Sequence, residues 1–346
     1  MFAKKIVAGA ALLAVAAVAH ADVKVYGMLD MSVGSFKDFD YSAANGLSKG
    51  KALTKVESGS MMTSYIGFAG DENLGGGLKA EFAIESFIAA DTGGTAKNMA
   101  GGFWGRGSFV ALSGGFGKVA LGQYDNAMFT FGYTYNPFGS SMTFAPSMVS
   151  YYSLAGFNAA TLGYDTGWVN SITYESPVMS GFQGVVQVAP KETAAGGDAK
   201  NNFAVSGSYN AGPLSLMAVY TNSGKSSTAY TLREKVFALG GSYDFGVAKA
   251  MAQFSQAKDT TGGADNKYTF VQVGASVPVT AADAVMVSYG QTKYSDGTDS
   301  SKLKQFSLGI DHTLSKRTDA YAALTSKKFT DVGTVNTFAV GIKHNF

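Results

Sequence analysis

From Val23 onward the chain alternates apolar and polar residues in stretches of about ten, each closed by a turn or a loop. The first stretch sets the pattern: Val23, Val25, Leu29 and Met31 share one face, and Lys24 and Asp30 share the other. In 78–85 the faces separate as cleanly, with Leu78, Ala80, Phe82 and Ile84 against Lys79, Glu81 and Glu85. Successive side chains of an extended chain point to opposite sides, so this period of two predicts strands with one apolar and one polar face.

Sixteen such strands follow one another: 23–31, 60–70, 78–85, 103–113, 118–123, 169–176, 182–189, 202–210, 214–220, 234–243, 247–257, 267–277, 284–294, 302–313, 320–326 and 335–346. A polar loop is expected over 35–57. Every second connection is short, as at 71–77 or 114–117, and those between are longer and richer in Gly, Ser, Asp, Lys and Thr. That rhythm predicts an all-β fold, a transmembrane antiparallel barrel with turns at one rim and loops at the other. In hydrocarbon every backbone N–H and C=O needs a partner within the protein, so the first strand has to close on the last. The last strand suits that role: Phe338, Val340, Ile342, His344 and Phe346 share one face, Gly341, Lys343 and Asn345 the other. At the edge of a soluble sheet the apolar row would meet water and invite aggregation.

One stretch breaks the rhythm. Between Lys118 and Lys191 there is no Lys or Arg, and within that gap residues 124–167 are crowded with Tyr and Phe around the turn-forming Asn136-Pro137-Phe138-Gly139. Loops longer than about 12–15 residues are usually functional or disordered, and so apolar a loop needs an interior to fold into. It is expected to enter the barrel and narrow it. An alternative pairs 147–153 with 157–165 as a hairpin, which gives eighteen strands and a shorter loop.

The amino end has a different character. Lys4 and Lys5 precede an apolar stretch over 6–18 and then Ala19-His20-Ala21, the layout of a secretory signal peptide cut after Ala21. The apolar stretch is too short for an anchor, for which about 20 residues are needed. Residues 1–21 are therefore expected to be removed, leaving 22–346 as the mature barrel. Losing Lys4 and Lys5 takes the 27 basic residues to 25, against 25 acidic ones, and a chain neutral in sum offers no basic face to nucleic acid. There is no Cys, so disulfides do not hold this exported chain together. Hydrophobic residues reach 46% and charged ones only 15%, with 44 Gly and 6 Pro, a composition that fits an outer-membrane barrel.

Catalytic readings find little support. Beyond the leader only His312 and His344 remain, each on a face with apolar neighbours, where a proton-transferring His would need a carboxylate or nucleophile at a watered rim. Without Cys or a His pair at ligand spacing, neither a metal site nor a cofactor is expected. The Gly runs at 75–77 and 114–117 are not followed by a helical pattern, so they read as turns rather than phosphate loops.

Several stretches resemble the Gram-negative general porins, most of all the trimeric type of beta-proteobacteria. They include Val25-Tyr26-Gly27-Met28-Leu29-Asp30, Ser64-Tyr65-Ile66-Gly67-Phe68-Ala69-Gly70, Gly105-Arg106-Gly107-Ser108-Phe109-Val110-Ala111-Leu112, Asn170-Ser171-Ile172-Thr173-Tyr174-Glu175-Ser176-Pro177 and the ending Val340-Gly341-Ile342-Lys343-His344-Asn345-Phe346. The resemblance implies a sixteen-stranded barrel in the outer membrane, assembled as a homotrimer among lipid and lipopolysaccharide. Its third loop would fold inward to constrict a pore for small hydrophilic solutes and ions. Pro137-Phe138-Gly139 looks like the family's turn within that loop.

The resemblance also implies a ladder of basic side chains facing the loop, and here the chain departs from it. Arg106 fills one rung, but Tyr65, Ala69 and Gln123 stand where bases are usual, and Gly167 and Trp168 occupy another such place. The residues expected to set the field at the constriction are Arg106, Glu81, Glu85 and Asp125, with Tyr65 and Gln123 as the replaced rungs and Lys24 and Asp30 as lesser contributors. With acids kept and bases lost, the expectation is a weakly cation-preferring or non-selective pore. The alternative is a substrate-selective channel or surface receptor with a solute site on the inserted loop.

Overall fold

The structure is a computed structural model that describes residues 22–40, 47–95, 102–152, 166–191, 201–223, 234–259 and 266–346. The expected leader, 1–21, lies outside the described residues. The elements are β1 (Asp22–Phe36), β2 (Phe39–Asp40), β3 (Ser48–Lys49), β4 (Leu53–Ser58), β5 (Tyr65–Gly75), β6 (Leu78–Phe87), β7 (Gly107–Gly114) and β8 (Gly117–Asp125). Two helices follow, α1 (Ala127–Thr134) and α2 (Pro146–Tyr152). The strands resume with β9 (Gly167–Glu175), β10 (Phe182–Ala189), β11 (Asn202–Ala211), β12 (Leu214–Ser223), β13 (Glu234–Asp244) and β14 (Lys249–Asp259). The last are β15 (Asn266–Pro278), β16 (Asp283–Ser295), β17 (Ser300–Ser315), β18 (Thr318–Phe329) and β19 (Gly333–Asn345).

Neighbours in sequence pair antiparallel from β5 round to β19, and β19 pairs with β1 from Met28↔Asn345 to Ser35↔Phe338, so the sheet closes. The other edge of β1 is shared. Its first half pairs with β5 (Asp22↔Asp71 to Met28↔Tyr65) and its second half with β4 (Met31↔Ser58 to Phe36↔Leu53). Lying end to end, β4 and β5 fill one place in the wall, so the 17 strands of the sheet make a closed 16-stranded barrel. Closure satisfies the backbone without water, which is the condition for crossing hydrocarbon. Large apolar side chains stand exposed on the outer face, among them Val25, Val33, Leu121, Val273, Phe306 and Val340, as a lipid-facing wall requires.

Two expectations about the wall need correction. The second strand position is not one run over 60–70: it is β4 and β5 separated by an inward bend at 59–64, and the expected polar loop over 35–57 is partly strand, because β1 runs on to Phe36 and carries β4 along its edge. The eighteen-strand alternative also fails in its first half, since 146–152 is helical; its second half, 157–165, lies outside the described residues.

The densest packing is inside the barrel. Phe131, Tyr135 and Tyr151 from the insert lie with Val219, Val236, Ala238 and Phe270 of the inner wall, and Phe138, Phe144 and Met148 lie with Met61, Met286, Tyr321 and Ala339. The first loop adds to this side. Phe39 meets Phe329 edge-on, Lys327 binds Asp38, and Thr337 exchanges hydrogen bonds with the backbone of Lys37. One half of the lumen, along β12–β19, is thus filled, and the half along β5–β11 stays open.

Candidate functional site: the constricted lumen

The insert is built to lie flat on a wall. Asn126 caps α1 by accepting a hydrogen bond from the Phe129 N–H at 2.9 Å, and Pro146, which lacks an N–H to waste, opens α2. Between the helices Asn136 accepts from the Phe138 N–H and donates to Ser147 Oγ at 2.8 Å, which folds the turn back on itself. Neither helix has a charged first or last turn, so nothing in them pulls toward bulk water.

What the insert meets is cut to receive it. On β13, β15, β16 and β17 the inner face carries Gly240, Gly274, Gly290 and Gly309, and a Cβ there would lie 2.7 Å from Phe131 and Tyr135, 2.8 Å from Pro137, 2.5 Å from Pro146 and 3.0 Å from Phe138. Glycine allows the backbone approach that any side chain would block. Glutamines of the same wall pair with the insert's main chain: Gln253 donates to Gly132 and Tyr135 carbonyls, Gln272 donates to Tyr135 and accepts from Ser147 N–H, and Gln305 donates to Thr143. The tip reaches the bend at 59–64, where Ser141 Oγ donates to the Ser60 carbonyl at 2.7 Å.

Across from α1 a cavity of about 610 Å³ remains, lined by Arg106, Glu85, Gln123, Asp125 and Tyr26 of the wall and by Thr130 and Tyr133 of the helix, among others. Arg106 binds Glu85 and stacks on the Tyr65 ring, its guanidinium carbon 3.8 Å from the ring centre. Tyr26 donates its hydroxyl to the second oxygen of Glu85. Tyr65, the replaced rung, is therefore a shelf that holds the remaining arginine in place. Gln123 spends its amide on the Gly105 carbonyl at 2.7 Å, and Tyr124 donates to Glu175 at 2.7 Å. Burial first, then the negative charge of Asp125, raises the Tyr133 hydroxyl above its ordinary pKa and keeps it a neutral hydrogen-bonding group on the insert.

The structure thus brings together Arg106, Glu85, Asp125, Gln123 and, beneath the arginine, Tyr65. Glu81 sits nearer the short-turn rim, where Lys118 binds it at 2.7 Å and Ser113 donates to it. Lys24 is exposed near the same rim, opposite Ala69 in register. Asp30 does not reach the water path. It is fully buried, accepting from the N–H groups of Met61 (2.6 Å) and Met62 (2.8 Å) and from the Tyr321 hydroxyl (2.7 Å). It sits on β1 opposite the gap between β4 and β5 and takes up backbone donors that the broken ladder frees. The sequence reading missed the bend it supports and the wall glycines that seat the insert. His312 and His344 face outward at the short-turn rim, hydrogen-bonded to Asp283 and Thr318.

A closed antiparallel barrel with an apolar outside, a partly open polar inside and a loop folded across it defines a membrane channel. The chain matches the Gram-negative porin family model over residues 8–332 and belongs to that family. It is 32% identical to outer membrane porin protein 32 of Delftia acidovorans, over 94% of this chain and 90% of that one. It is 27% identical to an outer membrane porin of Bordetella pertussis, over 99% of this chain and the whole of the relative (100%). Among solved structures it resembles the anion-selective porin from Comamonas acidovorans, with a TM-score of 0.76, 29% identity and coverage of 94% of this chain and 100% of that one. The protein is an outer-membrane porin channel. The expected cation preference gains no support: a related channel is anion-selective, and Glu81 and Glu85 are paired with Lys118 and Arg106.

Proposed function

We propose that the open half of the lumen is a passive path for small hydrophilic solutes and ions with little preference for the sign of charge. The observation that supports this is the pairing on its wall, Arg106 with Glu85 and Lys118 with Glu81. Asp125 and Glu175 are further acids on the lining, but water fills the path and a Debye length of about 8 Å at physiological salt limits their reach. The rest of the lining is neutral and hydrogen-bonding, with Thr130, Gln183, Ser206 and Ser208, which suits uncharged polar solutes. The homotrimer that the family resemblance implies is part of the proposal, read from current steps that close in threes.

Reversal potentials in a salt gradient test the reading. The native channel is expected to lie near zero. Glu85→Gln releases the Arg106 charge and moves the ratio toward anions, and Arg106→Gln moves it toward cations. A permeability ratio unmoved by either substitution would overturn the assignment of this pair to the path.

A further inference from the structure

The cavity beside α1 is lined by two kinds of side chain. One kind is aromatic and held still. Phe109 of β7 and Tyr124 of β8 meet edge to face, with ring centres 4.8 Å apart and planes at 75°, which makes an apolar corner. The Tyr124 hydroxyl is fixed on Glu175 at 2.7 Å, and that of Tyr26 on Glu85. Lys118 closes the corner toward the short-turn rim, its ammonium 5.4 Å from the Phe109 ring centre and bound to Glu81. The other kind is neutral and uncommitted. Ser206, Ser208 and Asn210 follow at every second position of β11 and so share its inner face, and Gln183 of β10 stands opposite Ser208. Among the described residues the side chains of Ser206, Ser208 and Asn210 have no hydrogen-bond partner.

These two linings narrow the chemistry of a solute that would stay rather than pass. Among the described lining residues the base is Arg106, and its hold on Glu85 and the Tyr65 ring leaves none free to bind an anion. An apolar solute would cover the hydroxyl row without pairing it, which costs the hydration of each group. A pyranose ring meets both linings. Its C–H face is apolar and lies flat on an aromatic ring, and its rim of hydroxyls donates and accepts, as serine and asparagine side chains do. The carboxylates that fix Tyr26 and Tyr124 have acceptor positions left for further hydroxyls. The volume of about 610 Å³ falls within the roughly 300–1,000 Å³ of sites that enclose small molecules.

We propose that this chamber is a saturable binding site for a neutral sugar of one or two rings, stacked in the corner of Phe109 and Tyr124 with its hydroxyls on Ser206, Ser208 and Asn210. The inference rests on the reading of the open half as a path for uncharged polar solutes, and gives that path a place where one class of solute is held.

Single-channel recording of the full barrel in planar bilayers, with maltose titrated on both sides, tests the site. The open current, corrected for bulk conductivity, is expected to fall along a saturating curve, whereas polyethylene glycol of equal hydrodynamic radius lowers it without saturation. The double variant Phe109→Ala, Tyr124→Ala raises the half-saturating concentration about tenfold or more, as loss of an aromatic anchor does. The triple variant Ser206→Ala, Ser208→Ala, Asn210→Ala raises it as well, and Tyr124→Phe, which keeps the ring, stays close to native. An open channel shows that each variant has folded, and the comparison of maltose with the glycol needs no variant. Equal behaviour of maltose and the glycol on a native channel whose reversal potential is near zero overturns the site and leaves the passive path standing. A native reversal potential far from zero overturns the path reading, and this site with it. Saturation by maltose that survives both sets of substitutions overturns the assignment to these residues. Block by phenethylamine at lower concentration than by maltose also overturns it, by making the rings and acids a site for an organic cation.

Discussion

Asp30 shows how one residue can serve the pore without touching its water. Its carboxylate collects two backbone N–H groups and the Tyr321 hydroxyl at the break between β4 and β5, and its own N–H donates to Ser64 Oγ at 2.9 Å. The bend that it holds presents the Ser60 carbonyl to the tip of the insert. Asp30→Ala strands buried donors, each worth about 1–3 kcal/mol when left unmet. We expect a loss of about 3 kcal/mol, measured by urea unfolding of the refolded barrel, and a smaller loss of about 1 kcal/mol for Tyr321→Phe. Equal stability of Asp30→Ala and native protein would show that the bend is held by other means. Aspartate on a polar strand face is legible in the sequence, but its partners come from residues 31 and 291 positions away, which no local pattern displays.

At the scale of elements, the insert and the wall are fitted by omission of side chains. Aromatic rings of α1 occupy the space a Cβ at Gly240 would need, and Pro146 at the start of α2 occupies that of Gly290. Gly240→Ala is expected to push Phe131 and Tyr135 off the wall at a cost of about 1–3 kcal/mol, the usual range for overpacking. The barrel should still form, and single-channel recording should show an altered step size with more open-state noise. The helices were not legible from periodicity: Ala127–Thr134 buries Ala127, Met128, Phe131 and Gly132 but also carries the aromatic Tyr133 on its cavity side, so no clean apolar stripe repeats at 3.6 residues. The usable signals were Asn126 as a cap and Pro146 as a first helical residue.

For the whole molecule, the arrangement divides the lumen into a packed half and an open half, and the outer wall carries exposed apolar side chains. The chain has no Cys, so single cysteines report position without background. Thr130→Cys, on the insert and lining the cavity, is expected to react with a charged thiol reagent and to reduce the current. Val271→Cys, exposed on the outer wall, should stay unreacted in a bilayer. Reaction at 271 with none at 130 would reverse inside and outside.

The period of two, the alternation of short and long connections and the final apolar row were enough to determine a closed barrel, because each strand separates lipid from water across its own thickness and writes that separation locally. The aromatic, base-free stretch was enough to mark which part of the chain is the insert. Only the tertiary structure decided where the insert lies and what the charges do: Arg106 with Glu85, Lys118 with Glu81 and Asp30 beneath Tyr321 are joined across strands. A charge on a lumen face is readable one residue at a time, but whether it meets the solute or a partner depends on register and on the loop folded against it, and these are set by contacts distant in sequence.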